Sequence, residues 1–214
     1  MKAQIITDRD FVLADLDRRI FGTFVEHMGR CVYGGIYEPE HPTADENGFR
    51  GDVLELTREL GATTVRFNFR GTGNSAGTYD GGDGEVEDLG AVAAWVRASR
   101  PRDQLWLAGF SFGAYVSLRA ASALQPSVLV SIAPPAGRWD FSKVVAPTML
   151  WLVIQGEADE IVDPEAVYAW LADCKADAEL VRMPDTSHFF HRKLIDLRGA
   201  IKNGVRSYLP DADA

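Results

Sequence analysis

The stretch Gly109-Phe110-Ser111-Phe112-Gly113 has the spacing GxSxG, a serine set between glycines two positions away on either side. A serine hydroxyl becomes a nucleophile only when a base takes its proton and a third group orients that base. The glycines suit a turn so tight that neighbouring side chains would collide, the setting in which such a serine is presented between a strand and a helix. The helix that follows directs backbone N–H groups at developing negative charge, which makes the N–H of Phe112 the first candidate oxyanion donor. A serine of this kind calls for an acid and then a histidine after later strands, in that order along the chain.

Both residue types follow. After the apolar run MLWLVIQ comes GEADEIVDPEAV, which is rich in acids. Asp163 has a structural task as the N-cap before Pro164, and Glu157 sits right at the strand end. Asp159 stands in the middle of the turn, where a side chain can reach across the carboxyl edge of a sheet; it is the chosen acid, with Glu160 as the alternative. After AELVRMP comes DTSHFFHRKL. There His188 lies in the loop between strand and helix, where the base belongs, and is favoured over His191 at the opening of the final helix. Phe110, Trp139 and Phe189 are the expected substrate-binding aromatics, with Phe141 and Phe190 in the same loops.

These residues need a frame. From Glu59 onward, short apolar runs alternate with segments of helical periodicity, as parallel strands and crossover helices read. The strand candidates are TTVRFNF (63–69), LWLAG (105–109), VLVSIA (128–133), MLWLVIQ (149–155) and AELVRMP (178–184), all nearly continuous in apolar character, as strands buried on both faces are. Val86, Leu89, Ala93 and Val96 mark one helix, and Tyr115, Leu118 and Ser122 one stripe of the next. A third helix starts at Asp163-Pro164. A last one carries Leu194, Leu197, Ile201, Val205 and Tyr208 toward the sheet. The first third reads differently: strand-like fragments (QII, FVL, IFGTFVE, CVYGGIY), a loop EPEHPTADENG, and the helix DVLELTREL closed by Gly61.

A chain of 214 residues, 46% of them apolar, fits one domain, and a formal charge of -9 argues against nucleic acid or an anionic membrane as partner. Cys31 and Cys174 lie outside any CxxC spacing, and no signal peptide or membrane span is visible, so a cytoplasmic protein is expected. No cofactor is implied. GTGNSAG (71–77) departs from GxGxxG, and His188-x-x-His191 lacks the further ligands of a metal site. A small-molecule substrate is the expected partner.

From about Thr64 to Pro210 the chain resembles small bacterial α/β-hydrolases of the dienelactone-hydrolase-like group, through VRFNFRGTGNSAG, LWLAGFSFGAYVSLRAA, SIAPP, WLVIQGEADEIV and MPDTSHFFHRKL in that order. The resemblance implies a triad of Ser111, Asp159 and His188. Residues 1 to about 62 are similar instead to the amino terminus of intracellular α-L-arabinofuranosidases, whose catalytic domain is a (β/α)₈ barrel. FGTFVEHMG matches their first barrel strand, and Glu26 the position of a sugar contact. The two catalytic glutamates of those glycosidases lie further along, and nothing after Gly61 resembles that part, so glycosidase activity is not expected. The change of likeness near Gly61 points to an engineered chimera.

In the α/β-hydrolase arrangement the second oxyanion donor comes from an early strand-to-helix loop. CVYGGIY and DVLELTREL would take that place, with Tyr33, Gly34 and Gly35 as the site of a substitute donor. The expected fold is α/β and α/β-hydrolase-like: a mostly parallel sheet with helices on both faces and atypical amino-terminal strands. It forms one domain over 1–214, made of the arabinofuranosidase-like segment 1–62, a hydrolase core 63–210 and a tail 211–214. The expected function is hydrolysis of a small ester or related acyl compound through acyl-Ser111. The alternatives are an impaired or inactive chimeric scaffold and, behind it, arabinofuranoside binding or hydrolysis.

Overall fold

The computed structural model describes residues 20–21, 42, 63–72 and 75–209. Five strands form one sheet in the order β1 (Ile20–Phe21), β2 (Gln104–Phe110), β3 (Val128–Ile132), β4 (Leu150–Gly156) and β5 (Ala178–Met183). Every neighbouring pair is parallel. Register is set so that the chain leaves β2, β3 and β4 at one level: Phe110 pairs with Ile132, and Ile132 with Ile154. All these strands therefore deliver their following loops to the same edge, where ligands of open parallel sheets bind.

The helices are α1 (Asp83–Ser99), α2 (Phe112–Leu124), α3 (Pro164–Cys174) and α4 (Leu194–Gly204). Strand alternation sorts the sheet into two apolar faces. Leu105, Leu107, Leu129, Trp151 and Val153 join one core with α1, α2 and Val167 of α3. Trp106, Val128, Val130, Leu152 and Ile154 join the other, which receives Leu197, Ala200 and Ile201 of α4. Helices thus cover both faces, as expected. Gly204 lets α4 close on the sheet, because a Cβ there would press on the Leu152 side chain.

The strands expected at 105–109, 128–133, 149–155 and 178–184 fall within a residue of the observed ones, and three corrections apply elsewhere among the described residues. The segment 63–69 is not among the strands: its alternation places Val65, Phe67 and Phe69 on the core, and an apolar pattern decides burial without deciding which backbone it pairs with. Ser122 is exposed, whereas Tyr115 and Leu118 are buried; Ser122 sits beside exposed Ala123 in the last turn of α2, where the helix runs out past the core. Leu194 and Tyr208 are exposed at 40% and 43% because they bracket the ends of α4, beyond its contact with the sheet. At α3 the expectation holds in detail. Asp163 accepts the Glu165 N–H at 3.1 Å and Pro164 takes the first helical position.

The strand paired with β2 at the amino-terminal side is Ile20–Phe21, from the fragment IFGTFVE. CVYGGIY, the expected helix DVLELTREL, Glu26, Cys31 and the tail 211–214 lie outside the described residues.

Candidate active site

Ser111 follows β2 directly and opens α2. Its N–H donates to Ile132 O at 2.8 Å, the last rung toward β3, while its C=O accepts the Tyr115 N–H at 3.2 Å, the first turn of the helix. One residue must satisfy ladder and helix together, and it does so at φ 51°, a backbone region that non-glycine residues enter only under constraint. The constraint is the close return of α2 over β2. A Cβ on Gly109 would fall under 3.0 Å from backbone atoms of Gly113 and Ala114, so only glycine fits there. We expect Gly109→Ala to cost upward of about 3 kcal/mol, read as a lowered urea midpoint, because the atoms in the way are backbone and cannot rotate aside.

The acid arrives from β4. Asp159 is 8% exposed and its Oδ1 accepts the N–H groups of Ile161 at 2.9 Å and Val162 at 2.7 Å. Its Oδ2 accepts from His188 Nδ1 at 2.8 Å and from Gln155 Nε2 at 3.0 Å. Burial alone pushes this carboxyl up. The hydrogen bond from His188 and those from the Val162 and Ile161 N–H groups outweigh it, so the group is held below the usual carboxylate range.

The histidine arrives from β5. His188 is fully buried, and its Nε2 lies 3.1 Å from Ser111 Oγ. An ionised Asp159 can only accept, so Nδ1 carries the proton and Nε2 is left to accept from the Ser111 hydroxyl. The loop that carries His188 is tied to the acid turn. Ala158 N–H donates to Thr186 O at 3.1 Å, Glu157 N–H to Met183 O at 2.9 Å, and His188 N–H to the Glu160 carboxylate at 3.1 Å. Gly156 permits this closeness, since a Cβ there would collide with Thr186 O. Asp185, Phe190 and Arg192 all hold positive φ around the same loop.

The structure thus brings Ser111, His188 and Asp159 into one hydrogen-bonded line at the carboxyl edge of the sheet. Glu160, the alternative acid, instead holds the backbone of His188. His191 is exposed and meets Phe189. The His188 ring is committed to Asp159 and Ser111, so it does not pair with His191 in a metal site. Phe110 and Phe189 stand beside the His188 ring, at 4.9 and 5.1 Å between centroids. Trp139 packs against the Phe112 ring, at 5.6 Å between centroids. Phe112 is the first residue of α2, where helix geometry leaves its N–H without an intrahelical acceptor. Gly34 and Gly35 lie outside the described residues. Gln155 was not singled out from the sequence; its signal was a polar side chain ending an otherwise apolar strand.

Residues 56–163 match the X-Pro dipeptidyl-peptidase (S15 family). A solved α/β serine hydrolase without a lid, from Xanthomonas campestris, is 59% identical, with a TM-score of 0.74 over 92% of this chain and 86% of that one. The chain belongs to the S15 family of α/β serine hydrolases. A second α/β serine hydrolase homologue, from Coxiella burnetii, is 40% identical to this hydrolase, with a TM-score of 0.70 over 86% of this chain and 84% of that one. Amino-terminal likeness runs elsewhere. An exo-α-(1→6)-L-arabinofuranosidase of Bifidobacterium longum is 61% identical over 66 residues, which are 31% of this hydrolase and only 13% of that enzyme. Among the described residues, no helix is long and apolar enough to cross a membrane.

Proposed function

We propose that this hydrolase cleaves small esters through a covalent acyl-Ser111 intermediate, with His188 as base and then acid and Asp159 orienting it. The observation that carries the reading is the unbroken relay of 3.1 Å and 2.8 Å on a serine held at φ 51°. As Ser111 Oγ attacks the carbonyl carbon, His188 Nε2 takes its proton, and the carbonyl oxygen becomes an oxyanion facing the Phe112 N–H. Collapse expels the alkoxide, which leaves as alcohol with the proton from His188. Water then attacks the acyl carbon while giving a proton to His188, and that proton returns to Ser111 as the carboxylic acid departs. Phe110, Phe189 and Trp139 line the acyl or leaving group, and no cofactor takes part.

An ester suits this site better than a peptide amide. An alkoxide leaves more readily than an amine and asks less of the oxyanion donors, one of which, at Gly34 or Gly35, would come from the arabinofuranosidase-like segment. That segment, we further propose, was joined near Gly61 to a hydrolase core of the dienelactone-hydrolase-like kind, in a cytoplasmic protein. The test is turnover of p-nitrophenyl acetate and butyrate beside an X-Pro p-nitroanilide. Ester turnover with little or none of the anilide is expected; preference for the anilide would replace the reading with a peptidase, and failure of a folded sample to react with fluorophosphonate would favour an inactive scaffold.

A further inference from the structure

Gln155 is the last residue but one of β4, and it is fully buried in a strand whose neighbours Val153 and Ile154 are apolar. An amide there needs a reason, since an apolar side chain would fill the space without desolvating polar atoms. Its Nε2 donates to Asp159 Oδ2 at 3.0 Å and to Gly156 O at 3.1 Å. Among the described residues its Oε1 has no hydrogen-bond partner. Turning the amide over would not help: the carbonyl oxygen would then face a carboxylate oxygen and a backbone carbonyl, two acceptors. The side chain therefore sits in the one orientation that serves Asp159, and a buried amide held that way does more than fill space.

The shared acceptor tells what the contact does. Asp159 Oδ1 is held by two backbone N–H groups, which fix that end of the carboxylate. Oδ2 carries the His188 ring and has Gln155 as its only other side-chain donor among the described residues. We propose that Gln155 is a positioning residue, which aims Asp159 Oδ2 at His188 Nδ1 and so keeps the imidazole aligned on Ser111. This rests on the proposed hydrolase mechanism, and it acts through Asp159 rather than on substrate.

Gln155→Met keeps the length and removes the donor. Three readouts together test the idea: ester kinetics, the downfield proton resonance of the His188 Nδ1–H, and a cycle with Asp159→Asn. The expected result is a kcat lower by about tenfold or more with KM little changed, a shifted or broadened resonance, and no further loss of kcat when the change is made in the Asp159→Asn background. If Gln155→Met fails to fold, Gln155→Glu takes its place: the introduced acid donates to Asp159 while protonated, so activity relative to wild type rises as pH falls. Wild-type kcat with an unmoved resonance, or an equal loss in both backgrounds, overturns the proposal. A wild type that turns over no ester refutes the proposed function instead, and the resonance alone then decides on Gln155.

Discussion

Ser111→Ala removes ester turnover down to the level left by binding and oxyanion contacts alone, a fall of roughly 10⁴- to 10⁶-fold in kcat. The magnitude follows from the geometry. Among the described residues the hydroxyl is the one group that His188 Nε2 meets at hydrogen-bond distance, 3.1 Å away; without it there is no nucleophile and no covalent intermediate forms. KM should change little, since an alanine methyl at the same strained turn leaves the surrounding aromatics in place. Two measurements check this: steady-state kinetics on a p-nitrophenyl ester, and fluorophosphonate labelling, which should mark wild type and vanish in the variant. Residual labelling of the variant at Ser111-independent sites with turnover intact would show that the nucleophile lies elsewhere.

Asp159→Asn has the next largest expected effect, a kcat lower by about 10⁴-fold. The two ends of the side chain are not equivalent. The Oδ1 end meets the Ile161 and Val162 backbone N–H groups, which cannot become acceptors, so the amide oxygen must take that end. The NH₂ then occupies the Oδ2 end, against the Gln155 amide and His188 Nδ1. Imidazole responds by accepting at Nδ1, which moves its proton to Nε2 and leaves nothing to deprotonate Ser111. The same substitution reports on acid stability. Because the Asp159 carboxyl is depressed in the folded protein, it contributes stability above the ordinary aspartate range and loses it as pH falls through the depressed value. Urea midpoints between neutral and acid pH should therefore fall more steeply for wild type than for Asp159→Asn; parallel curves would mean that the carboxylate is not held ionised by its four donors.

Much of the site was legible because its demands are local. A GxSxG turn needs glycine where α2 returns over β2, and Gly109 meets that need whatever else the chain does. The acid and histidine follow strands β4 and β5, and a parallel sheet sends the carboxyl ends of its strands to one edge, so chain order foretold spatial convergence. The choice of Asp159 over Glu160 rested only on position in a turn. Structure gives the distinction a cause: neighbouring side chains of that turn diverge, so one carboxylate reaches the imidazole and the other the backbone of the same histidine.

Other features were hidden because they depend on where the fold brings backbone and side chains together, which a run of residue types does not state. The segment 63–69 has the composition of a strand, but pairing is a property of two backbones and not of one sequence run. Gln155 looked like the polar end of an apolar strand until the fold placed Asp159 Oδ2 beside it. The chain by itself determined which residue types are present and in what order along parallel strands, since turn chemistry and apolar periodicity act over a few residues. Only the tertiary structure decided which oxygen meets which nitrogen: Ser111 and His188 are 77 positions apart, and that gap is closed by strand register and by the ties between the acid and histidine loops, neither of which any short stretch encodes.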